Sequence, residues 1–394
     1  MKANFLFLVL IIFGIQVIAA NNKLNWKFET QGRIYSSPLI DGHLLFFGSG
    51  DSCFYAVNKT TGKKAWDFRT KGAIHSSPET SGKMVYFGSA DGYLYALNKI
   101  SGRLIWKFKS EGEKMLDMWD YYLSSPKCDD GIVYWGSGDG HLYALDCISG
   151  ILIWKFQSGN MIHATPVISD NKVYIGNYNG NFYALNCKDG IEVWKFKTVG
   201  DTYFPKGEVQ KGAAIDSGVV YFGSRDYNIY ALDTKTGTEH WNMKEHGSWI
   251  IATPLVYKEN IYFGTSDTHR FYCINKNSGE VAWKITLPMR VYGSAIAYKE
   301  IIYFGCFDGK LRGVDAKTGE SKWEFQTDAS KQNYNTVYGA DGKFRAGFEL
   351  YGNNLIESER IIHTLGSILS TPAIDNQTIY FGSSDGALYS VKLN

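Results

Sequence analysis

A short phrase recurs along the whole chain. It opens on an aromatic or aliphatic residue followed by glycine, at Phe47, Phe87, Trp135, Ile175, Phe222, Phe263, Phe304 and Phe381. Most copies continue Ser-x-Asp-Gly-x-Leu-Tyr-Ala-Leu and close on a tryptophan, at Trp66, Trp106, Trp154, Trp194, Trp241, Trp283 and Trp323. Successive tryptophans stand 40, 48, 40, 47, 42 and 40 residues apart. A period near 40 with alternating apolar residues predicts propeller blades, each of four short strands. The last copy, "FGSSDGALYSVKLN", stops before its tryptophan, while an orphan fourth strand, "LNWKFET", places Trp26 40 residues ahead of Trp66. The N-terminal strand is therefore expected to complete the last blade. The fold class is all-β: an eight-bladed β-propeller of four-stranded blades whose closure hides the sheet edges.

Composition fits this reading, with 42 glycines, 27 tyrosines, 11 tryptophans and only 8 prolines. A net charge of +2 without any basic run argues against a surface that tracks nucleic acid. The 6 cysteines show no CxxC, so neither a metal nor a redox motif is expected, and they permit disulfides without demanding them. There is no GxSxG and no phosphate-cradling loop. The recurring aspartates, such as Asp91, Asp139 and Asp385, read as turn residues rather than as a catalytic pair. Residues 1–20 read as an export signal, with Lys2 ahead of an apolar run from Phe5 to Ile18 and the small pair Ala19-Ala20. The mature part, 21–394, is expected to be one propeller, periplasmic or secreted, with no transmembrane segment after signal removal. No lipid-attachment cysteine is visible, the first cysteine being Cys53.

Four segments, "AVNKTTGKKAW" (56–66), "ALNKISGRLIW" (96–106), "ALDTKTGTEHW" (231–241) and "GVDAKTGESKW" (313–323), resemble the tryptophan-docking repeat of quinoprotein propellers. The resemblance covers nearly all of the chain after the signal. It implies that Trp26, Trp66, Trp106, Trp154, Trp194, Trp241, Trp283 and Trp323 dock one blade on the next. One branch of that superfamily is the dehydrogenases dependent on pyrroloquinoline quinone (PQQ), which hold their cofactor over an adjacent-cysteine disulfide beside calcium. This chain has no adjacent cysteines, and no PQQ or calcium site is recognisable, so no cofactor is expected. Its lean blades are closer in style to the other branch, the cofactor-free outer-membrane protein assembly factor BamB family, which implies protein partners in the cell envelope.

Ligand sites of propellers sit where loops enter the innermost strands. Aligned on the Ser-Ser-Pro at the entry to the first blade, that mouth would carry Arg33, Tyr35, His75, Tyr121, His163, Trp249, Arg290 and Tyr292, with Gly212 at the entry of the fifth copy. Arg33 and Arg290 suit a carboxylate, because a guanidinium fork bonds it in two places. No metal site is expected. Insertions at 111–122, 199–211, 244–250 and about 326–368 all precede innermost strands, so they share one end of the ring; 335–354 reads as an extra hairpin about Asp341-Gly342. The function expected is a non-catalytic envelope scaffold, acting as a monomer or as a subunit of a larger complex. The alternatives are a PQQ-dependent alcohol or sugar dehydrogenase and a secreted glycan-binding or glycan-processing propeller.

Overall fold

A computed structural model describes residues 24–393. Eight four-stranded antiparallel sheets make up almost all of it. Seven are continuous in the chain, at 39–69, 79–109, 127–157, 167–197, 214–244, 255–286 and 296–326, and are numbered here as blades one to seven. Blade eight combines 373–392 with the N-terminal strand Leu24–Glu29, which sets Trp26 opposite Ser390 and Phe28 opposite Leu388. The ring is closed as the orphan strand predicts. The export signal expected at 1–20 lies outside the described residues. Among the described residues, no helix is long and apolar enough to cross a membrane.

Each blade follows one burial rule. Its three-residue first strand is half-buried and faces the channel, and the second and third strands are buried on both faces. The fourth strand alternates exposed with half-buried residues, as in Lys64–Arg69. Continuous apolar runs such as "LLFFG" suit a strand packed between two neighbouring sheets, whereas alternation suits one with a wet face.

The tryptophans lock the blades together. The indole Nε1 of Trp26, Trp66, Trp106, Trp154, Trp194, Trp241 and Trp283 donates to a carbonyl of the next blade, at 2.9–3.2 Å. Each of these rings lies against a glycine in that blade's last turn. A Cβ on Gly102 would come 2.7 Å from Trp66, and Gly102 also has φ +69°, so two separate constraints demand glycine there. Trp323 abuts blade eight, which ends before that turn, and its Nε1 has no partner among the described residues. The recurring aspartates hold their turns: Asp51, Asp91, Asp139, Asp226 and Asp385 accept the hydroxyl of a third-strand tyrosine at 2.6–2.8 Å.

The long insertion differs from the expected hairpin. It holds helix α1 (Asp328–Val337) and helix α2 (Leu355–His363), with a single bridge between Tyr338 and Phe344 around Asp341-Gly342. Capping explains the helices. The Thr327 side chain accepts from the Ser330 N–H, and the Asn354 side chain accepts from that of Glu357. Tyr334 and the extended C-cap residue Tyr338, four residues apart, stack at 4.4 Å across the end of α1.

Candidate functional site

The four insertions meet over one mouth of the channel and close it. The ring of Tyr121 lies 5.4 Å from that of Tyr35, 6.1 Å from that of Tyr292 and 5.4 Å from that of His363 on α2. Beside it, Tyr122 reaches across the mouth and donates to the carbonyls of Tyr292 and Leu369, at 3.2 and 3.0 Å. Aromatic packing of this kind fills the space where an open mouth would admit a ligand.

Two buried charge networks tie the insertions to the ring. In the first, Glu359 of α2 is ion-paired with Arg290 and also accepts from Trp119 Nε1 (3.0 Å) and the Tyr121 hydroxyl (2.9 Å). A buried carboxylate needs this many donors to offset its lost hydration. In the second, His163 is bonded at both ring nitrogens, to Asp120 at 3.0 Å and to Glu113 at 2.9 Å. Burial alone would lower its pKa, but the two carboxylates outweigh that and push it up to about 10. The network runs on from Asp120 through Tyr178 and Gln210 to Arg225, which holds Asp117 through two bonds of 2.7 and 3.2 Å.

The structure thus brings Tyr35, His75, Tyr121, Arg290 and Tyr292 together beneath the cap and buries His163 in the neighbouring network. Trp249 lies to one side, edge-on to Trp119 at 6.0 Å and Phe204 at 4.9 Å, with Arg225 stacked on its ring at 4.3 Å. Arg33 alone of the eight is exposed, and it donates to the Tyr35 hydroxyl at 3.3 Å. Burial lowers His75 to about 4 and His363 to about 3, so both are neutral near pH 7.

Beneath the cap the channel encloses a cavity of about 340 Å³. Backbone N–H groups of Thr371, Ser37 and Ser77 donate at 2.9 Å to the hydroxyls of Ser37, Ser77 and Ser125 in successive blades, linking blades eight, one, two and three along one side of it. Lys211 stands at its capped end. It donates to the Tyr292 carbonyl at 3.2 Å and lies 3.9 Å over the Tyr122 ring. Burial pushes its pKa down to about 7. Sequence reasoning misses Lys211 because blade five has no Ser-Pro entry. A Cβ on Gly176 would meet Val209 at 2.3 Å, as one on Gly48 would meet Ile74 at 2.2 Å. Val209 is therefore the counterpart of Ile74, Gln210 rather than Gly212 is the counterpart of His75, and Lys211 replaces the serine seen at Ser76. Glu359 is missed for a different reason, since nothing in the repeat aligns with α2.

A second pocket, of about 230 Å³, opens among the insertions themselves. Asp117 and Trp119 come from the first insertion, Phe204 from the second, Trp249 from the third and Tyr351 from the fourth; Asp267 and Tyr292 come from the ring.

The mouth is filled by Tyr121, Tyr122 and His363, and among the described residues no group of His, Cys, Asp and Glu side chains is gathered to hold a metal ion.

Fold and repeat together define an eight-bladed propeller of the quinoprotein-like class. The sequence matches the family model described as "Outer membrane protein assembly factor BamB" over residues 14–126, 123–204 and 203–394, so the chain belongs to that family. No curated protein matches the sequence. Among solved structures, BamB from Moraxella catarrhalis superposes with a TM-score of 0.70 at 15% identity, over 94% of this chain and 100% of that one. The computationally designed Ika8 protein gives 0.68 at 14% identity, over 93% and 98%. A europium-containing methanol dehydrogenase gives 0.70 at 12% identity, over 94% and 93%. Identities this low establish a shared fold alone.

Proposed function

We propose that this protein is a non-catalytic scaffold of the cell envelope that binds protein partners through its insertion face. One observation carries the reading. Large apolar side chains stand exposed on three of the insertions, with Met115 58%, Tyr203 79% and Ile356 75% accessible, around a mouth that is itself closed. Exposed apolar surface marks an interaction site; Ile100, Ile148 and Ile191 are exposed elsewhere on the ring as well, and the insertion face is distinguished by drawing its exposed apolar residues from segments outside the repeat. Membership of a family described as an outer-membrane protein assembly factor supports protein partners and an envelope location. Export by residues 1–20 belongs to the same proposal, with the protein acting as a monomer or within a larger complex.

The test is cross-linked co-purification from an envelope fraction. The wild type is compared with a Tyr203→Asp/Ile356→Asp variant and with Ile148→Asp on the opposite rim. The reading expects specific partners to be lost from the insertion-face variant and kept by the rim variant. Equal recovery by all three, or dye-linked alcohol oxidation by the wild type once PQQ and calcium are added, would overturn it.

A further inference from the structure

The pocket between the insertions carries an acid that has been released from a structural task. In five blades the turn aspartate accepts the hydroxyl of the third-strand tyrosine, as Asp51 does from Tyr55. That tyrosine pairs across the sheet with the aromatic residue that opens the phrase, eight positions earlier in blade one (Phe47 with Tyr55). Blade six makes the same pairing between Phe263 and Tyr272, nine positions apart. The extra residue, in "TSDTHR", carries Asp267 out of reach. The Tyr272 hydroxyl goes to Glu245 instead, at 3.2 Å. Among the described residues Asp267 accepts only from Ser266, at 2.9 Å, and it turns up on the wall of the aromatic pocket.

The charges around that pocket do not balance. Arg225 is paired with Asp117, and Arg290 with Glu359 through Nη1; the Nε and Nη2 of Arg290 have no hydrogen-bond partner among the described residues. Each guanidinium also lies over a pocket aromatic, Arg225 at 4.3 Å from Trp249 and Arg290 at 5.2 Å from Tyr351. Asp267 is the third carboxylate beside two cations, so these five side chains sum to one negative charge. Desolvation raises its carboxyl above the ordinary value against the opposing pull of Arg290. The residue as a whole is exposed, so solvent as well as Arg290 compensates its charge.

We infer that this pocket, walled by Trp119, Phe204, Trp249, Tyr292 and Tyr351 with Asp267 as counter-ion, binds the alkylammonium group of a small organic cation or of a lysine side chain. Aromatic faces attract a cation through their quadrupoles, each such contact contributing about 0.5–2 kcal/mol, and an unmatched carboxylate adds direct attraction. The assignment does not depend on the scaffold reading, because the probes that test it are small molecules.

The test titrates the full chain with choline, with N-acetyl-lysine methylamide and with 3,3-dimethylbutan-1-ol, the uncharged shape-mimic of choline, reading tryptophan emission and heat. At least one cation should bind saturably, roughly tenfold or more tighter than the neutral mimic. Tighter binding of choline points to a quaternary headgroup, and tighter binding of the lysine derivative to a peptide side chain. Asp267→Asn should weaken the cation about tenfold and leave the neutral mimic unchanged. Tyr351→Ala, at an exposed position that the fold does not need, should weaken the cation severalfold. Binding of the neutral mimic as tight as that of the cations, unchanged cation affinity in both folded variants, or no saturable signal with either cation would each overturn the assignment.

Discussion

The two ends of the ring handle charge in opposite ways. At the end without insertions, lysine–carboxylate pairs link neighbouring blades: Lys59 to Asp375 at 2.5 Å, Lys99 to Asp41 at 2.6 Å and Lys276 to Asp216 at 3.0 Å. All remain partly exposed, and each is a local device that the next blade can repeat. At the insertion end, Arg290 with Glu359, and His163 with Asp120 and Glu113, are buried and bonded to several elements at once. A partly exposed pair contributes about 0–1 kcal/mol, whereas breaking a buried one strands a charge and costs about 3–5 kcal/mol. One end therefore adds its contributions blade by blade, and the other stands or falls as a unit.

Deleting Leu24–Glu29 acts on both ends together and should have the largest effect. Blade eight loses its outer strand, an edge opens, and the melting temperature should collapse; an unchanged melt would show that closure does not hold either end. Glu359→Ala should cost about 3–5 kcal/mol by leaving Arg290 buried and unpaired. Hydrogen exchange should then rise in α2 and at Trp119 and Tyr121, while the blade strands stay protected. Uniform loss of protection would erase the distinction between the ends.

Acid comes next. Burial holds His75 and His269 at about 4 and His363 at about 3 in the folded protein, against about 6.5 unfolded. The unfolded chain thus takes up protons first, and the stability these residues contribute above pH 6.5 drains away as pH falls toward the folded values. By pH 5.5 the loss should be about 1 kcal/mol for each. His163 has the opposite sign: its contribution is complete below pH 6.5 and is lost as pH rises through about 10. Thermal melts from pH 7 to 5.5 should fall in the wild type and fall less in His363→Phe.

Two smaller effects belong to the repeated machinery. Gly102→Ala forces a Cβ to 2.7 Å from Trp66 and strains a residue at φ +69°, for about 1–2 kcal/mol of stability. Lys99→Ala removes one partly exposed pair and should shift urea midpoints by less than about 1 kcal/mol. A larger cost would mean that the plain end is as interdependent as the capped one.

The fold is legible in the sequence because a repeat states the same packing eight times. Trp26 can be assigned to blade eight only because Trp66 and its successors define where an orphan strand belongs. The Asp-Gly turns are legible for the same reason. The site is legible only as far as the repeat reaches. Aligned entries find Tyr35, His75, Tyr121 and Arg290 but not Glu359, which joins Arg290 from a helix 69 positions later that lies outside the repeat. The helices of the long insertion were announced by Thr327 and by Asn354 three residues before Glu357, signals hidden by an expectation of strands. Asp267 was readable in principle, since one extra residue between Phe263 and Tyr272 breaks the count, but what that freed acid faces depends on insertions that no repeat positions.

The shared blade has a consequence for how the molecule comes into being. Residues as distant as Asn25 and Ser390 must meet before the circle exists. A chain made from its N-terminus carries that first strand as an unsatisfied edge throughout synthesis, and every later blade must form beside it without capturing it. Long-range pairing of this kind is slow and leaves sticky edges in the interval. The last strand to be made is the one that ends this exposure, so the step most open to error falls at the close of folding, when nearly all the other sheets are already in place.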